Sequence, residues 1–302
     1  MHVLALLFTP PIIGLSALFV SVVWMLRNEA DRVRPILVFA LTLNLFFGTF
    51  LNIFMKREGG FLPWKYDHVL FLLDRSLGIS AASIAIPLQG VCRAPLGVVY
   101  QALVPLMVCW IVVYRYRNPR GSVALAYAAE LVAGPLLYAL FPACGPIYAF
   151  GPQWLHPPAV QPDVIRLSAM PNAFPSLHIA TALIFVLLPP GRFWKPISLA
   201  FLIATGLATI STGEHYVIDL VSGLAFGCFA ASVGYRRIRS ALLYLGLVLS
   251  WSLAARFGYS FLIAHPPVTR IAATLTVLVV TREIVKEWRL APTRADNPAH
   301  SS

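Results

Sequence analysis

Two short polar motifs contain the residues best suited to catalysis. The first is FPSLH at 174–178, which ends in His178, and the second is GEHYVID at 213–219, which contains His215 and Asp219. On a helix, His215 and Asp219 would share a face because they are four residues apart. The carboxylate could then accept from one imidazole nitrogen and leave the other free to attack an electrophile. Taken alone, the pair is better explained as a structural contact at a helix start.

The first motif predicts an anion site beside that nucleophile. Pro175 and Ser176 immediately precede an apolar run, which is typical of a helix start. Unpaired N–H groups at a helix N-terminus bind phosphate, and Ser176 can add a hydroxyl donor. His178 would lie in the first turn, where it could protonate the leaving oxygen of a phosphoester. The two motifs together therefore favour phosphoryl transfer.

Composition indicates that these motifs belong to a membrane protein. The chain has 302 residues, of which 59% are hydrophobic and 12% charged, and its mean hydropathy is +0.77. Soluble domains are nearer half apolar and a quarter charged. We therefore expect an all-α polytopic membrane protein, a helical bundle of about eight or nine spans. The apolar runs that predict these spans are 4–26, 35–55, 94–114, 122–141, 177–188, 197–210, 216–233, 242–255 and 268–281.

Charge sets the predicted topology. Most of the 23 Lys and Arg residues fall in the C-terminal tail and in the loops after the first, third, fifth and seventh runs. These segments should be cytoplasmic, which puts both motifs on the non-cytoplasmic face of an inner or plasma membrane. The net charge of +11 is explained in this way, so the bilayer, and not nucleic acid, is the expected partner.

The chain divides into four predicted regions. Residues 1–93 hold N-terminal spans and, after 56, interfacial or re-entrant helices on the outer side, where Asp67 and Asp74 share a face. Residues 94–235 form the catalytic membrane core, 236–290 the C-terminal spans and 291–302 a disordered tail. Gly223 and Gly227 form a small-xxx-small pattern that would let a neighbouring helix approach closely, although incidental glycines explain it equally well.

The paired motifs resemble the second and third signature motifs of the type-2 phosphatidic acid phosphatase superfamily. Leu177 between Ser176 and His178, and Pro142 ahead of Gly145-Pro146, are closer to its inositol phosphorylceramide synthase-like (inositolphosphotransferase) branch. The resemblance covers roughly residues 142–227. It implies His215 as a nucleophile that forms a phosphohistidine, Asp219 as its orienting group and His178 as the general acid. It also implies no metal and no cofactor, with a lipid phosphoester and a hydroxyl acceptor as substrates.

The sequence departs from that family where phosphate would be bound. The phosphatase branch carries an arginine shortly before the last histidine, and the corresponding residue here is Thr209. Its first motif has no clear counterpart. Because an unpaired phosphate dianion at a membrane rim is costly, we expect Arg166, followed by Arg75 and Arg93, to act with Ser176 as phosphate ligands. Each arginine could instead be an ordinary interfacial anchor.

The predicted function is a membrane phosphotransferase that moves a phospho-head group, inositol phosphate being one candidate, from a lipid to a hydroxyl. A plain lipid phosphate phosphatase, acting on a phosphatidyl or polyprenyl phosphate, is the nearest alternative. A proton- or ion-coupled transporter could use the same residues with Glu130, a mid-span acid that is a functional candidate by default. A metal site built from His178, His215 and Asp219 is a further alternative. The oligomeric state and pairing of Cys92 with Cys144 stay open.

Overall fold

A computed structural model of the chain describes residues 62–90, 92–117, 122–156 and 162–290, which are mostly helical. The predicted spans at 4–26 and 35–55 and the predicted tail at 291–302 lie outside the described residues. Two short strands, β1 (Trp64–Lys65) and β2 (Ile165–Arg166), pair antiparallel. The helices are α1 (Asp67–Leu77), α2 (Ala81–Leu88), α3 (Arg93–Arg117), α4 (Val123–Leu140), α5 (Pro146–Phe150), α6 (Leu177–Leu187), α7 (Trp194–Ser211), α8 (Val217–Gly234), α9 (Ile238–Phe257), α10 (Tyr259–Ala264) and α11 (Pro266–Leu290), with a 3₁₀ turn at Gly151–Gln153.

Four helices of the described part, α4, α7, α8 and α9, are long and apolar enough to cross a membrane. Helices α1 and α2 meet at 84°, as a broken span or a re-entrant loop would, and together they make a fifth candidate. The predicted count of eight or nine spans is therefore not confirmed. The break between the two helices begins at Gly78, which adopts a left-handed conformation (φ 81°) that ends α1.

Helices α6 and α8, which begin in the two motifs, form the inner pair of the bundle. Every residue of α6 from Ile179 to Leu187 is buried, and α8 packs against α4, α6, α9 and α11. Helix α8 is apolar on all sides, as expected for a helix enclosed by others. Both helices start at the same end of the bundle, where α4 and α7 end, so the loops that precede them meet there.

Two glycines set the distance between these inner helices. A Cβ atom added at Gly223 would lie 2.6 Å from the carbonyl oxygen of Ser176, and one at Gly227 would lie 2.9 Å from that of Ala180. Backbone therefore touches backbone along one face of α8, which confirms the close approach that the small-xxx-small pattern predicts. The contact with the Ser176 carbonyl also fixes the position of the first motif relative to α8.

Replacing Gly223 with alanine should damage both stability and activity. The added methyl group must push the start of α6 away, at a cost of about 1–3 kcal/mol, and the shift would move His178. Thermal unfolding and turnover in detergent would measure both effects. Gly246→Ala in α9 is the matched control, since its Cβ atom would meet nothing within 4 Å. Equal results for the two variants would contradict this account of the packing.

Candidate active site

The two motif histidines meet at one end of the bundle. His178 lies in the first turn of α6, and His215 lies in the short connection between α7 and α8. Nδ1 of His178 is 3.2 Å from Nε2 of His215, and the rings are in edge contact with centroids 5.4 Å apart. The convergence that a shared phosphorus atom requires is thus present, while the chemical roles of the two rings stay predictions.

The surroundings of His215 define its tautomer. Its Nδ1 is 2.9 Å from the carbonyl oxygen of Ala173, and a carbonyl can only accept, so Nδ1 carries the proton. Nε2 is then the nitrogen with the free lone pair, and it is the one that faces His178. Burial lowers the pKa of His215 to about 4, although the charge of Glu214 and the Ala173 carbonyl act in the opposite direction.

Asp219 holds the segment around His215 together. Its Oδ2 accepts from the backbone N–H of Tyr216 at 2.8 Å and is 3.4 Å from Nδ1 of His215. Its backbone carbonyl accepts from the N–H of Ser176 at 3.1 Å, which ties the second motif to the first. Sequence reasoning predicted the carboxylate as the orienting group and missed the Ala173 carbonyl, which is the closer acceptor.

Two further carboxylates, both on α1, hold the start of α8. Asp74 accepts from the N–H groups of Val217 and Ile218, each at 2.9 Å, which is favourable because negative charge stabilises a helix N-terminus. Asp67 accepts from the N–H of Gly145 at 2.8 Å and from the hydroxyl of Tyr216 at 3.1 Å. The sequence predicted that both acids share one helical face, but no sequence signal indicated that this face binds the residues next to His215.

The segment from 142 to 154 packs against residues 213–215. Gly145 has a φ of 93°, and a Cβ atom there would lie 2.2 Å from the carbonyl oxygen of Glu214, so only glycine fits. The hydroxyl of Tyr148 donates to Oε1 of Glu214 at 2.9 Å. Cys144 is buried, Cys92 is exposed and both thiols are free.

The predicted phosphate ligands are not gathered around the histidines. Ser176 is buried at the start of α6, where its hydroxyl oxygen accepts from the N–H of Ile179. Arg75, Arg93 and Arg166 are all exposed, in the last turn of α1, at the first residue of α3 and in β2. Within the described residues, the hydrogen bonds of the two rings involve none of them. Their binding roles stay predictions.

Three further residues bear on the predicted roles of the two histidines. Thr209, which stands where the phosphatase branch has arginine, is buried and donates to Gly206 of its own helix. Tyr100 of α3 stacks on His178 with centroids 4.4 Å apart, a contact with no signal in the sequence. Glu130 is buried in α4 and accepts from the hydroxyl of Thr181, one turn beyond His178, at 2.6 Å.

In the described parts of the chain, no cluster of three or more His, Cys, Asp or Glu side chains is arranged to hold a metal ion.

The lowered pKa of His215 predicts that the acid side of the pH–rate profile begins to fall only at unusually low pH. In the predicted mechanism the neutral imidazole of His215 is the nucleophile, and a pKa of about 4 keeps this ring neutral throughout the range from pH 7 to 5. For a diester substrate, whose charge does not change there, kcat/KM should therefore not fall between pH 7 and 5, and it should increase as the predicted general acid His178 gains its proton. A histidine with an ordinary pKa near 6.5 would by then have lost about thirtyfold. A pH–rate profile of kcat/KM that falls with a midpoint near 6.5 would contradict the buried, neutral His215.

The Asp219→Asn variant tests which acceptor sets the tautomer. Because the Ala173 carbonyl remains bonded to Nδ1, we expect turnover to fall by about 10- to 100-fold, and not by the roughly 10⁴-fold typical of sites where a carboxylate alone sets the tautomer. The asparagine oxygen can still accept from the N–H of Tyr216. Steady-state turnover measures the effect, with Asp163→Asn as a matched control on a side chain bonded to Tyr259. A loss near 10⁴-fold would show that the carboxylate dominates.

The chain is similar to a known protein family. A family model described as the PAP2 superfamily matches residues 68–233, which is more than half of the chain and includes both histidines. No curated protein and no solved structure matches.

Proposed function

The chain belongs to the PAP2 superfamily, and from that premise we propose that it is a membrane phosphotransferase with a histidine nucleophile. Membership indicates phosphatase or phosphotransferase activity on lipid phosphates. The finer proposal is that a phospho-head group moves from a lipid to a hydroxyl acceptor through a phosphohistidine on His215. One observation carries it: Nε2 of His215 and Nδ1 of His178 lie 3.2 Å apart, with the other nitrogen of His215 held by a carbonyl.

The first half-reaction needs a nucleophile and an acid on opposite sides of one phosphorus atom. Nε2 of His215 attacks phosphorus while the bond to the lipid oxygen breaks, and protonated His178 gives its proton to that oxygen. The positive charge that forms on His215 is stabilised by the Ala173 carbonyl and the Asp219 carboxylate, both near Nδ1. A phosphoryl group must enter between the two rings, so their direct contact is the resting state.

The second half-reaction reverses these roles. Neutral His178 takes the proton of the acceptor hydroxyl as its oxygen attacks the phosphohistidine, and Nε2 of His215 leaves with its lone pair restored. His178 ends protonated, so no net proton is gained or lost by the protein. With water as the acceptor, the same steps would make the protein a lipid phosphatase. The site chemistry is shared, and the acceptor decides between the two functions.

The side of the membrane follows from the distribution of charge. The end of the bundle opposite the histidines carries Arg192 before α7, Arg236 and Arg237 before α9, and Arg289 at the end of α11. Basic ends of membrane helices face the cytoplasm. We therefore place the active site on the non-cytoplasmic face.

Product analysis tests the proposal. Purified protein would be incubated with phosphatidylinositol labelled in the head group, with and without candidate lipid and sugar acceptors, and the products resolved. We expect label on an acceptor, and none with His215→Ala. Release of a soluble phosphate in the absence of any acceptor would favour the phosphatase. A wild-type protein that turns over no lipid phosphoester would overturn the proposed function.

A further inference from the structure

Glu214, which directly precedes the nucleophile, is fixed at the mouth of the site. Its backbone carbonyl packs against Gly145 so closely that a Cβ atom there would be 2.2 Å away. Its side chain, only partly buried, accepts from the hydroxyl of Tyr148 on α5 at 2.9 Å. Backbone and side chain are both held by the same covering segment, so the carboxylate has a defined place beside His215.

The charge of Glu214 reaches the groups around the two catalytic candidates. It acts on His215, where it raises the pKa against the larger effect of burial, and it contributes to the raised pKa of Tyr148. It also lies within electrostatic range of Tyr100, the ring that stacks on His178. A phosphoryl group between the histidines would therefore lie in the field of this carboxylate.

In the described parts of the chain, no Lys or Arg side chain is hydrogen-bonded to either ring. His178 and His215 hydrogen-bond to each other, to Ala173 and to Asp219, and not to Lys or Arg. Thr209, at the position where the phosphatase branch carries arginine, donates to its own helix. The charge of Glu214 that acts on His215 is negative, and it disfavours a substrate phosphate in proportion to the charge that the phosphate carries.

We infer that Glu214 is a specificity-determining residue that selects lipid phosphodiesters over phosphate monoesters as donors. A diester carries one negative charge, whereas a monoester carries about 1.5 to 2 at pH 7 because its second pKa is near 6. Repulsion from Glu214 therefore counts against a monoester nearly twice as heavily. The inference rests on the proposed function, since it assumes that the reacting phosphorus binds at His215.

The Glu214→Gln variant removes the charge and keeps the shape and the acceptor for Tyr148. We would measure kcat/KM at pH 7.5 for phosphatidylinositol and for phosphatidate with the same acyl chains. At this pH the variant should gain about tenfold on the monoester and about threefold on the diester, because the repulsion scales with the charge of the substrate. The gain should shrink at pH 5, where the monoester is a monoanion. Tyr148→Phe, which keeps the charge, should leave the ratio of the two substrates unchanged.

A second measurement needs no variant. Salt screens a partly exposed carboxylate, so raising the salt concentration from 0.05 to about 0.5 M should increase the wild-type ratio of monoester to diester turnover. The inference would be overturned if Glu214→Gln affected both substrates equally, or if salt did not change the ratio of their turnover. The proposed function would still stand in that case, provided that the wild type turns over lipid and His215→Ala does not. If the wild type turns over neither substrate, the proposed function fails and this inference fails with it.

Discussion

Alanine in place of His215 is expected to reduce turnover by roughly 10⁴- to 10⁶-fold, the loss seen when a nucleophile that acts with a partner residue is removed. Without Nε2 of His215, no covalent intermediate can form, and His178 has no attacking nucleophile whose reaction it could assist by giving a proton to the leaving group. Rapid quenching with a donor that carries labelled phosphorus measures this directly. The wild type should hold an acid-labile phosphoryl group, and the variant should hold none.

His265→Ala is the matched control for that experiment. His265 is exposed at the end of α10 and stacks on Phe261, away from the two motifs. We expect this variant to label and turn over like the wild type. Acid-labile label that persists in His215→Ala and disappears in His178→Ala would show that the two rings have the opposite roles.

The features that could be predicted from the sequence are those with local signals. The runs at 122–141, 197–210 and 216–233 predict α4, α7 and α8 to within a few residues, because a span is recognisable from its own apolar composition. The start of α6 at Leu177 was indicated by Ser176, which caps the helix as that residue type does elsewhere. His178 and His215 were found because each lies beside such a helix start.

The features that could not be predicted depend on contacts between distant segments. Asp74 binds the N–H of Val217, 143 positions away in the sequence, and no local pattern indicates which helix end an acid will reach. The Ala173 carbonyl is a backbone group that every residue has, so its bond to His215 leaves no trace in residue type. The angle of 84° between α1 and α2 likewise depends on how both pack, and the predicted number of spans was unconfirmed in the described part of the chain.

The site is unusually acidic for one that must bind phosphate. Asp67, Asp74 and Asp219 are buried around the residues that follow His215, and Glu214 precedes it. Asp67 and Asp74 are each bonded to several N–H groups, which disperse their charge. We therefore expect phosphate binding to require a positively charged ligand, and the exposed Arg166 stays our first candidate.

Replacing His178 with alanine should slow the reaction in a way that depends on the leaving group. A lipid alcohol is a poor leaving group, so loss of the general acid should lower the rate of phosphohistidine formation by about 10²- to 10⁴-fold. A p-nitrophenyl diester releases a stable phenolate without protonation, and its first half-reaction should fall by less than about tenfold. The burst of nitrophenolate in a single turnover measures that step alone.

The same variant separates the two half-reactions. Because His178 also takes the proton of the acceptor, steady-state turnover of the p-nitrophenyl diester should remain slow after a near-normal burst. Tyr100→Phe preserves the ring that stacks on His178 and should leave the leaving-group dependence as it is in the wild type. A loss of equal size for both donors in the first turnover would show that His178 positions or binds the phosphoryl group and does not act as the acid. The two rings, which are 3.2 Å apart, would then bind the phosphoryl group together, and another residue would protonate the leaving group.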